Sequence, residues 1–377
     1  MGPLNGYTIL ELAGIGPAPM GGMVLADMGA EVIRIERASG AGGQPMIDVS
    51  ARGKKSVALN LKDPQGVETF LRMVENADVV IDPYRPGVCE KLGIGPDVCM
   101  ERNSRLIFSR MTGWGQEGPL AKAAGHDINY ISITGALYAT GPKDDKPVLP
   151  LNLVGDMGGG GMLLVTGVLA ALLETANSGK GQVIDVAMVD GAAQLMWMFH
   201  GFQAMGFWDA EKRRSNMLDG GAHYYNTYEC SDGEYVSIGS IEPQFYALLL
   251  ELAELPHEDF GNQNDQANWP VMEEKLAAII LQKTQAQWCE LMEGTDVCFA
   301  PVLTFMDAPN HPANIARKTY IEVDGLTQPA PAPRFSRTPS EVVHGSHAVG
   351  QDTDEILQAM GFAQADIANL RDGGAIG

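Results

Sequence analysis

The chain has 377 residues, enough for two or three domains, and its 45% hydrophobic and 19% charged residues exclude wholesale disorder. A formal charge of −21 argues against nucleic acid or an anionic membrane as a partner. The cysteines Cys89, Cys99, Cys230, Cys289 and Cys298 form no C-x-x-C pair and the seven histidines no H-E-x-x-H, so neither a disulfide framework nor a metal site is expected.

The first residues lack the basic and apolar regions of a signal peptide, and the longest apolar run, residues 162–173, falls short of the roughly 20 that span a bilayer. A cytoplasmic protein with no membrane partner is expected. The acidity is uneven: residues 1–122 hold 13 Lys and Arg against 14 Asp and Glu, and the remainder 13 against 33. The near-neutral first third is therefore where a small anionic ligand fits best.

In chain order, residues 7–12 read as a strand, 13–19 as a Gly/Pro turn and 20–28 as a helix. Strands follow at 31–36 and 56–59, a helix at 63–76, and strands at 77–81 and 106–109. Strands alternating with amphipathic helices indicate a parallel, doubly wound sheet. The glycine-rich stretch 155–161 leads into an apolar helix reaching about residue 176, closed by Asn177-Ser178-Gly179-Lys180-Gly181 and followed by a strand at 182–186. Beyond it, 224–229 and 234–238 alternate like strands, and 244–254, 270–282 and 284–294 read as helices. Pro329-Ala330-Pro331-Ala332-Pro333 reads as a linker, and 352–360 and 363–370 as short helices. The expected fold is α/β. A large, doubly wound, Rossmann-like domain occupies 1–190, linker helices 191–224, a smaller α+β domain 225–325, and a linker and C-terminal segment returning to the large domain 326–377.

Gly14-Ile15-Gly16-Pro17-Ala18-Pro19, with Glu36 closing the second strand, imitates a dinucleotide fingerprint. Pro19 stands where that motif has its third glycine, and two prolines remove amides a pyrophosphate would use, so a nicotinamide cofactor is not expected. Arg34, Arg37, Arg52, Lys54, Lys55, Lys62 and Arg85 cluster at strand ends. In an open parallel sheet ligands bind beyond the carboxyl ends of the strands, which places Arg37, Lys62 and Arg85 on one rim, as a phosphate-bearing ligand requires.

His126, in Gly125-His126-Asp127-Ile128-Asn129-Tyr130, and Asp156, in Asn152-Leu153-Val154-Gly155-Asp156, are candidates for acid–base chemistry. Each has a plainer reading: Asp156 as a helix N-cap, His126 as a packed, hydrogen-bonded histidine. The four glycines Gly158–161 suit close approach of something to the backbone.

At these residues the sequence resembles the family III CoA-transferase (CaiB/BaiF-type) superfamily, and within it the racemases of 2-methylacyl-CoA thioesters. The resemblance runs through Glu11-Leu12-Ala13-Gly14-Ile15-Gly16-Pro17-Ala18-Pro19, Tyr84-Arg85-Pro86-Gly87-Val88, Arg110-Met111-Thr112-Gly113-Trp114-Gly115-Gln116, the His126 and Asp156 segments, and Ile241-Glu242-Pro243-Gln244-Phe245. It continues through Glu293-Gly294-Thr295-Asp296, Ala300-Pro301-Val302-Leu303 and Pro331-Ala332-Pro333-Arg334-Phe335-Ser336-Arg337.

The resemblance implies an intertwined homodimer acting on an acyl-CoA thioester. His126 and Asp156 would be the two bases of a 1,1-proton transfer through an enolate, and Glu242 would orient His126 across the dimer interface. No cofactor or metal would be needed beyond the CoA of the substrate, and amides at the start of the glycine-rich helix would receive the enolate oxygen. CoA contacts would fall to Arg37, Leu59, Asn60, Leu61, Lys62, Pro83, Tyr84, Arg85, Lys91, Gly125, Asp127, Ile128, Asn129 and Tyr130. Pro83 stands where a glycine is common and Lys91 where an arginine is common, and a lysine lacks the bidentate fork. Methionines such as Met20, Met157, Met196, Met198 and Met205 would offer an adaptable surface to an acyl chain. Two alternatives stay open: a CoA-transferase that uses Asp156 as nucleophile, and a non-catalytic acyl-CoA-binding protein.

Overall fold

In the computed structural model, which describes residues 2–43, 47–256 and 260–377, the chain divides into two units. The first comprises Met1–Thr134, Leu151–Leu195 and Thr319–Gly377, and the second Gly135–Pro150 and Met196–Lys318.

The first unit is built on six parallel strands: β1 (Thr8–Leu12), β2 (Glu31–Arg37), β3 (Lys54–Leu59), β4 (Val79–Asp82), β5 (Ile107–Thr112) and β6 (Gln182–Ala187). Their order is β3-β2-β1-β4-β5-β6, and every neighbouring pair is parallel. Side chains alternate across a strand, so adjacent residues enter different cores. Leu10, Ile33, Val80 and Phe108 pack on one face with Phe70 and Val74 of α2 (Pro64–Val74). Ile9, Val32, Val79 and Ile107 pack on the other with Val24 and Leu25 of α1 (Pro17–Asp27) and Leu164 and Val168 of α6 (Leu163–Ser178). Apolar runs buried on both faces are what a doubly wound sheet demands. The order reverses between β1 and β4, which opens a crevice at the carboxyl ends of those strands.

Two helices start well before the sequence reading places them. α1 begins at Pro17, before residue 20, because proline is well placed in a first turn whose amides have no partner anyway. The glycine-rich stretch is itself helical: Leu153–Met162 is a π-helix continuous with α6. Together they form a 26-residue helix, Leu153–Ser178, long and apolar enough by length and composition to cross a membrane. The run at 162–173 concealed this because the glycines interrupt its apolarity. The helix packs along β5, β6 and α1 and ends at Gly179, whose φ of 76° suits glycine.

This unit also carries α3 (Val88–Leu92), α4 (Pro96–Arg102), α5 (Asp127–Ile133) and α7 (Met188–Leu195).

The second unit carries α8 (Trp197–Ala204), β7 (Tyr225–Glu229), β8 (Tyr235–Gly239), α9 (Pro243–Leu252), α10 (Trp269–Ile280), α11 (Gln285–Met292), β9 (Phe299–Val302) and α12 (Pro312–Arg317). β7, β8 and β9 form an antiparallel sheet whose core includes Tyr224, Tyr246, Trp269 and Trp288.

The two units divide the chain differently from the domains expected from sequence. Residues 135–150 fall in the second unit, where the Tyr138 hydroxyl donates to the Glu211 carbonyl at 2.7 Å and the Arg213 guanidinium lies over the Tyr138 ring. The first boundary falls at 195–196, and 319–325 return to the first unit. There β10 (Tyr320–Val323) pairs with β11 (Leu326–Pro329), so a boundary after 325 would cut a hairpin at its turn. The C-terminal segment, with α13 (Thr353–Ala359) and α14 (Gln364–Asp372), covers the β3 edge: Leu59 bridges Ile376, and the Gly377 amide donates to Ala58 at 3.0 Å.

Candidate active site

Two neighbouring clefts open at the carboxyl ends of the first unit's strands, and Tyr84 lines both. The larger, about 790 Å³, is bounded by Glu36 and Arg37 at the end of β2, Leu59 to Lys62 from the end of β3 onward, Tyr84, and Gly374 with Ile376. The smaller, about 480 Å³, holds His126 and Asp156 between Ile15–Pro17, Pro83–Pro86, Met111–Trp114 and Gly125.

The cationic residues sort into two groups. Arg52 is buried against Asp27 at 2.7 Å, and Lys54 against Glu11 at 2.6 Å. Arg34 pairs with Asp48 and Glu36, and Lys55 with Glu31 and Glu355. All four are therefore consumed by the fold. Arg37 and Lys62 in the larger cleft and Arg85 in the smaller are exposed, with no carboxylate partner among the described residues. That leaves their charge for an anionic ligand.

Loop geometry fixes the smaller cleft. Gly16 has a φ of 75°, and a Cβ there would stand 3.7 Å from Asp156 Oδ2. At the end of β4, buried Asp82 accepts the Tyr84 amide at 2.9 Å, aiming that ring between the clefts. After β5, Trp114 meets the edge of Tyr130 with centroids 4.7 Å apart, and the Tyr130 hydroxyl donates to the Gly125 carbonyl at 2.5 Å. No Cβ fits at Gly113, where it would come within 2.1 Å of the Tyr130 ring. His126 follows directly, at the N-cap of α5; its amide donates to Asn129 Oδ1 at 3.0 Å and its imidazole is exposed to the cleft.

Asp156 is not a helix cap. It lies within the π-helix, half-buried, and its Oδ2 accepts a hydrogen bond from Asn152 at 3.1 Å. Burial raises its carboxyl above the usual carboxylate range; Asn152 works against that shift, the negative charge of Asp127 adds to it, and His126 opposes it. A carboxyl with raised proton affinity beside an exposed imidazole is a pair suited to moving protons.

The glycines do bring a backbone close, but the approaching group is protein. A Cβ at Gly159 would meet Ala192 N of α7 at 2.7 Å, and one at Gly160 would meet Pro17 Cβ at 2.8 Å. The Asp156 amide, counted among the donors for an enolate oxygen, is already taken by Asp127 Oδ1 at 2.7 Å.

Of the other expected ligand contacts, Leu59, Asn60, Leu61, Lys62, Pro83, Tyr84, Arg85, Gly125 and Tyr130 line one cleft or the other. Lys91, Ile128 and Asn129 are exposed and line neither, and Asp127 is buried beneath the site. Glu242 stands exposed at the N-cap of α9 in the second unit. The sequence reading missed Asn152, legible only as a donor four residues before Asp156. It also missed Trp114, whose indole N–H is buried without a partner at the cleft. Gly374 and Ile376 carry no signal, being more than 300 residues from the strand they complete.

Comparison with known proteins assigns the family. The profile of CoA-transferase family III matches residues 4–353. The chain belongs to CoA-transferase family III. Among curated family III relatives, it is 46% identical over 370 residues to the alpha-methylacyl-CoA racemase of Mus musculus, covering 97% of this chain and 96% of the relative. It is 40% identical over 369 residues to that of Homo sapiens, with the same coverage. Among solved structures, a CAIB/BAIF family protein from Brucella suis superposes with a TM-score of 0.79 at 27% identity, over 95% of this chain and 99% of the other. Rv3272 from M. tuberculosis superposes with a TM-score of 0.78 at 26% identity, over 94% and 98%. The family III match takes in both units and reaches the first residue of α13.

Proposed function

We propose that this protein is a racemase that interconverts the (R) and (S) epimers of 2-methylacyl-CoA thioesters. The observation that carries this is the placement of His126 and Asp156 on one cleft, from two separate elements, beside a larger cleft with unpaired cations. In this reading the CoA nucleotide occupies the larger cleft against Arg37 and Lys62, the pantetheine arm passes Tyr84, and the thioester reaches the smaller cleft.

Inverting the carbon next to a thioester carbonyl means removing its proton on one face and delivering one on the other. His126 takes the proton of the (S) epimer and Asp156 that of the (R) epimer, each returning a proton in the opposite direction. Burial that raises the proton affinity of Asp156 brings it closer to the operating pH, where a carboxyl serves as both acid and base. The enolate forms near the amino end of the helix Leu153–Ser178, where the helix dipole favours negative charge. We further propose that Glu242 orients the His126 imidazole in an intertwined homodimer, and that the protein works in the cytoplasm with no cofactor beyond the CoA of its substrate.

The rival reading is a CoA-transferase in which the Asp156 carboxylate attacks the thioester carbonyl, the C–S bond breaks to release CoA as its thiolate and leave an acyl-enzyme anhydride, and CoA then passes to a second acid. His126 favours the racemase, since a transferase needs no second base opposite the carboxylate. Incubation with a single epimer of a 2-methylacyl-CoA decides between them. Drift to both epimers without a free-acid acceptor supports the racemase. Unchanged substrate, with hydroxylamine trapping an acyl group on Asp156 when a free acid is present, identifies the transferase.

A further inference from the structure

We propose that the Asp127 side chain is a positioning group for Asp156, holding its main chain and setting the charge that its carboxyl meets. The proposal rests on the reading of Asp156 as a proton-transferring group.

The geometry is specific. Asp127 follows His126 directly and is 5% exposed. Its Oδ1 accepts the Asp156 amide at 2.7 Å, and its Oδ2 is buried with no partner. In a π-helix the amides of the first turn have no partner within the helix, and Asp156 N–H is one of them. Asp127 supplies the missing acceptor from a different element. The fit leaves no slack, since a Cβ at Gly155 would stand 2.5 Å from Asp127 Oδ1 and 3.2 Å from Ile131. One residue thus ties the segment that carries His126 to the helix that carries Asp156.

A buried carboxylate with an unsatisfied oxygen is costly, so its negative charge, more than a hydrogen-bonding shape an asparagine would also provide, calls for a use. That use is to oppose ionisation of the neighbouring carboxyl. The groups acting on Asp156 are Asn152 from its own helix and Asp127 and His126 from α5 and its cap. Arg85 and Tyr130 line the same cleft. α1 brings Gly16 and Pro17 to it, with no charge. Asp190 of α7 and Asp185 of β6 lie on elements packed against the same helix, and Asp185 Oδ2 accepts the Gln116 amide at 2.8 Å.

Asp127→Asn keeps an acceptor for the Asp156 amide and removes the charge; Asp127→Ala removes both. The direct test labels the carboxyl carbons of aspartate with carbon-13 and follows Asp156 by NMR against pH, its signal assigned by loss in Asp156→Asn. Titration of Asp156 should move to lower pH in Asp127→Asn, with CoA affinity within about twofold of the wild type. Proton exchange from the (R) epimer at neutral pH should fall about threefold or more, because the base has weakened. Asp127→Ala should lose more, through displacement of the main chain.

An Asp156 titration unmoved in Asp127→Asn overturns the proposal, as does a loss of CoA affinity with the titration unchanged, which would make Asp127 a ligand contact. The NMR readout does not depend on turnover. A shifted Asp156 in a protein that exchanges no proton would refute the proposed function and leave this inference standing.

Discussion

Asp156 sits among neighbours that pull its proton affinity in opposite directions, and each pull can be removed separately. Asn152 donates to Oδ2 and so favours the ionised form. Asn152→Ala should therefore raise the proton affinity further and move the acid limb of the rate profile for the (R) epimer to higher pH, opposite in sign to Asp127→Asn. A pH profile of epimerisation for the two variants checks both signs. His126 and Asp156 were legible in the sequence as candidates, as polar residues beside glycines, although each also had a plainer reading as a packed histidine or a helix cap. The supporting residues were not. Asn152 looks like any loop asparagine, and the role of Asp127 depends on an amide 29 residues away whose vacancy follows from the π-helix.

Among the elements, the glycine run shows where reading from sequence stops. Four consecutive glycines announce a close approach to the backbone, and the sequence does not say by what. Here α7 and α1 press against the helix, with Gly191 so close that a Cβ would fall 1.9 Å from the Gly159 carbonyl oxygen. Gly159→Ala or Gly191→Ala should destabilise the fold by about 1–3 kcal/mol or more, since the atoms met are main chain and cannot rotate away. Urea denaturation measures this directly. A similar test applies to Lys54 and Glu11, paired at 2.6 Å in the core of the sheet unit, with Lys54 also donating to the Pro19 carbonyl at 2.9 Å. Burial pushes the lysine down and the glutamate up. Lys54→Met leaves Glu11 buried and alone and should cost about 3–5 kcal/mol, whereas the double change Lys54→Met with Glu11→Leu should recover much of it.

Across the whole molecule, a chain of charge −21 holds an anionic ligand only where local cations outweigh the rest. With Arg34, Arg52, Lys54 and Lys55 committed to ion pairs, the proposed function assigns that task to Arg37 and Lys62, which line the larger cleft. Arg37→Ala and Lys62→Ala should each raise KM for an acyl-CoA about tenfold with little change in kcat, because they touch a part of the substrate that does not react. Steady-state kinetics at two salt concentrations would separate this from damage to the chemistry. The parallel sheet was legible at this scale because its strands are apolar runs spaced by helices, and its reversal between β1 and β4 locates the crevice. The composition of the second unit was not legible. Residues 135–150 join it through contacts such as Tyr138 to Glu211, which leave no periodic trace in the sequence.

The central claim is that two bases face one α-carbon. It is tested most directly by incubating a single epimer of a 2-methylacyl-CoA with the protein in deuterium oxide and following epimer ratio and mass together. Two bases predict one deuteron gained, concurrent drift toward both epimers, and loss of epimerisation by about 10²–10⁴-fold in both His126→Ala and Asp156→Ala. Substrate recovered unlabelled and unepimerised from the wild-type protein would contradict it.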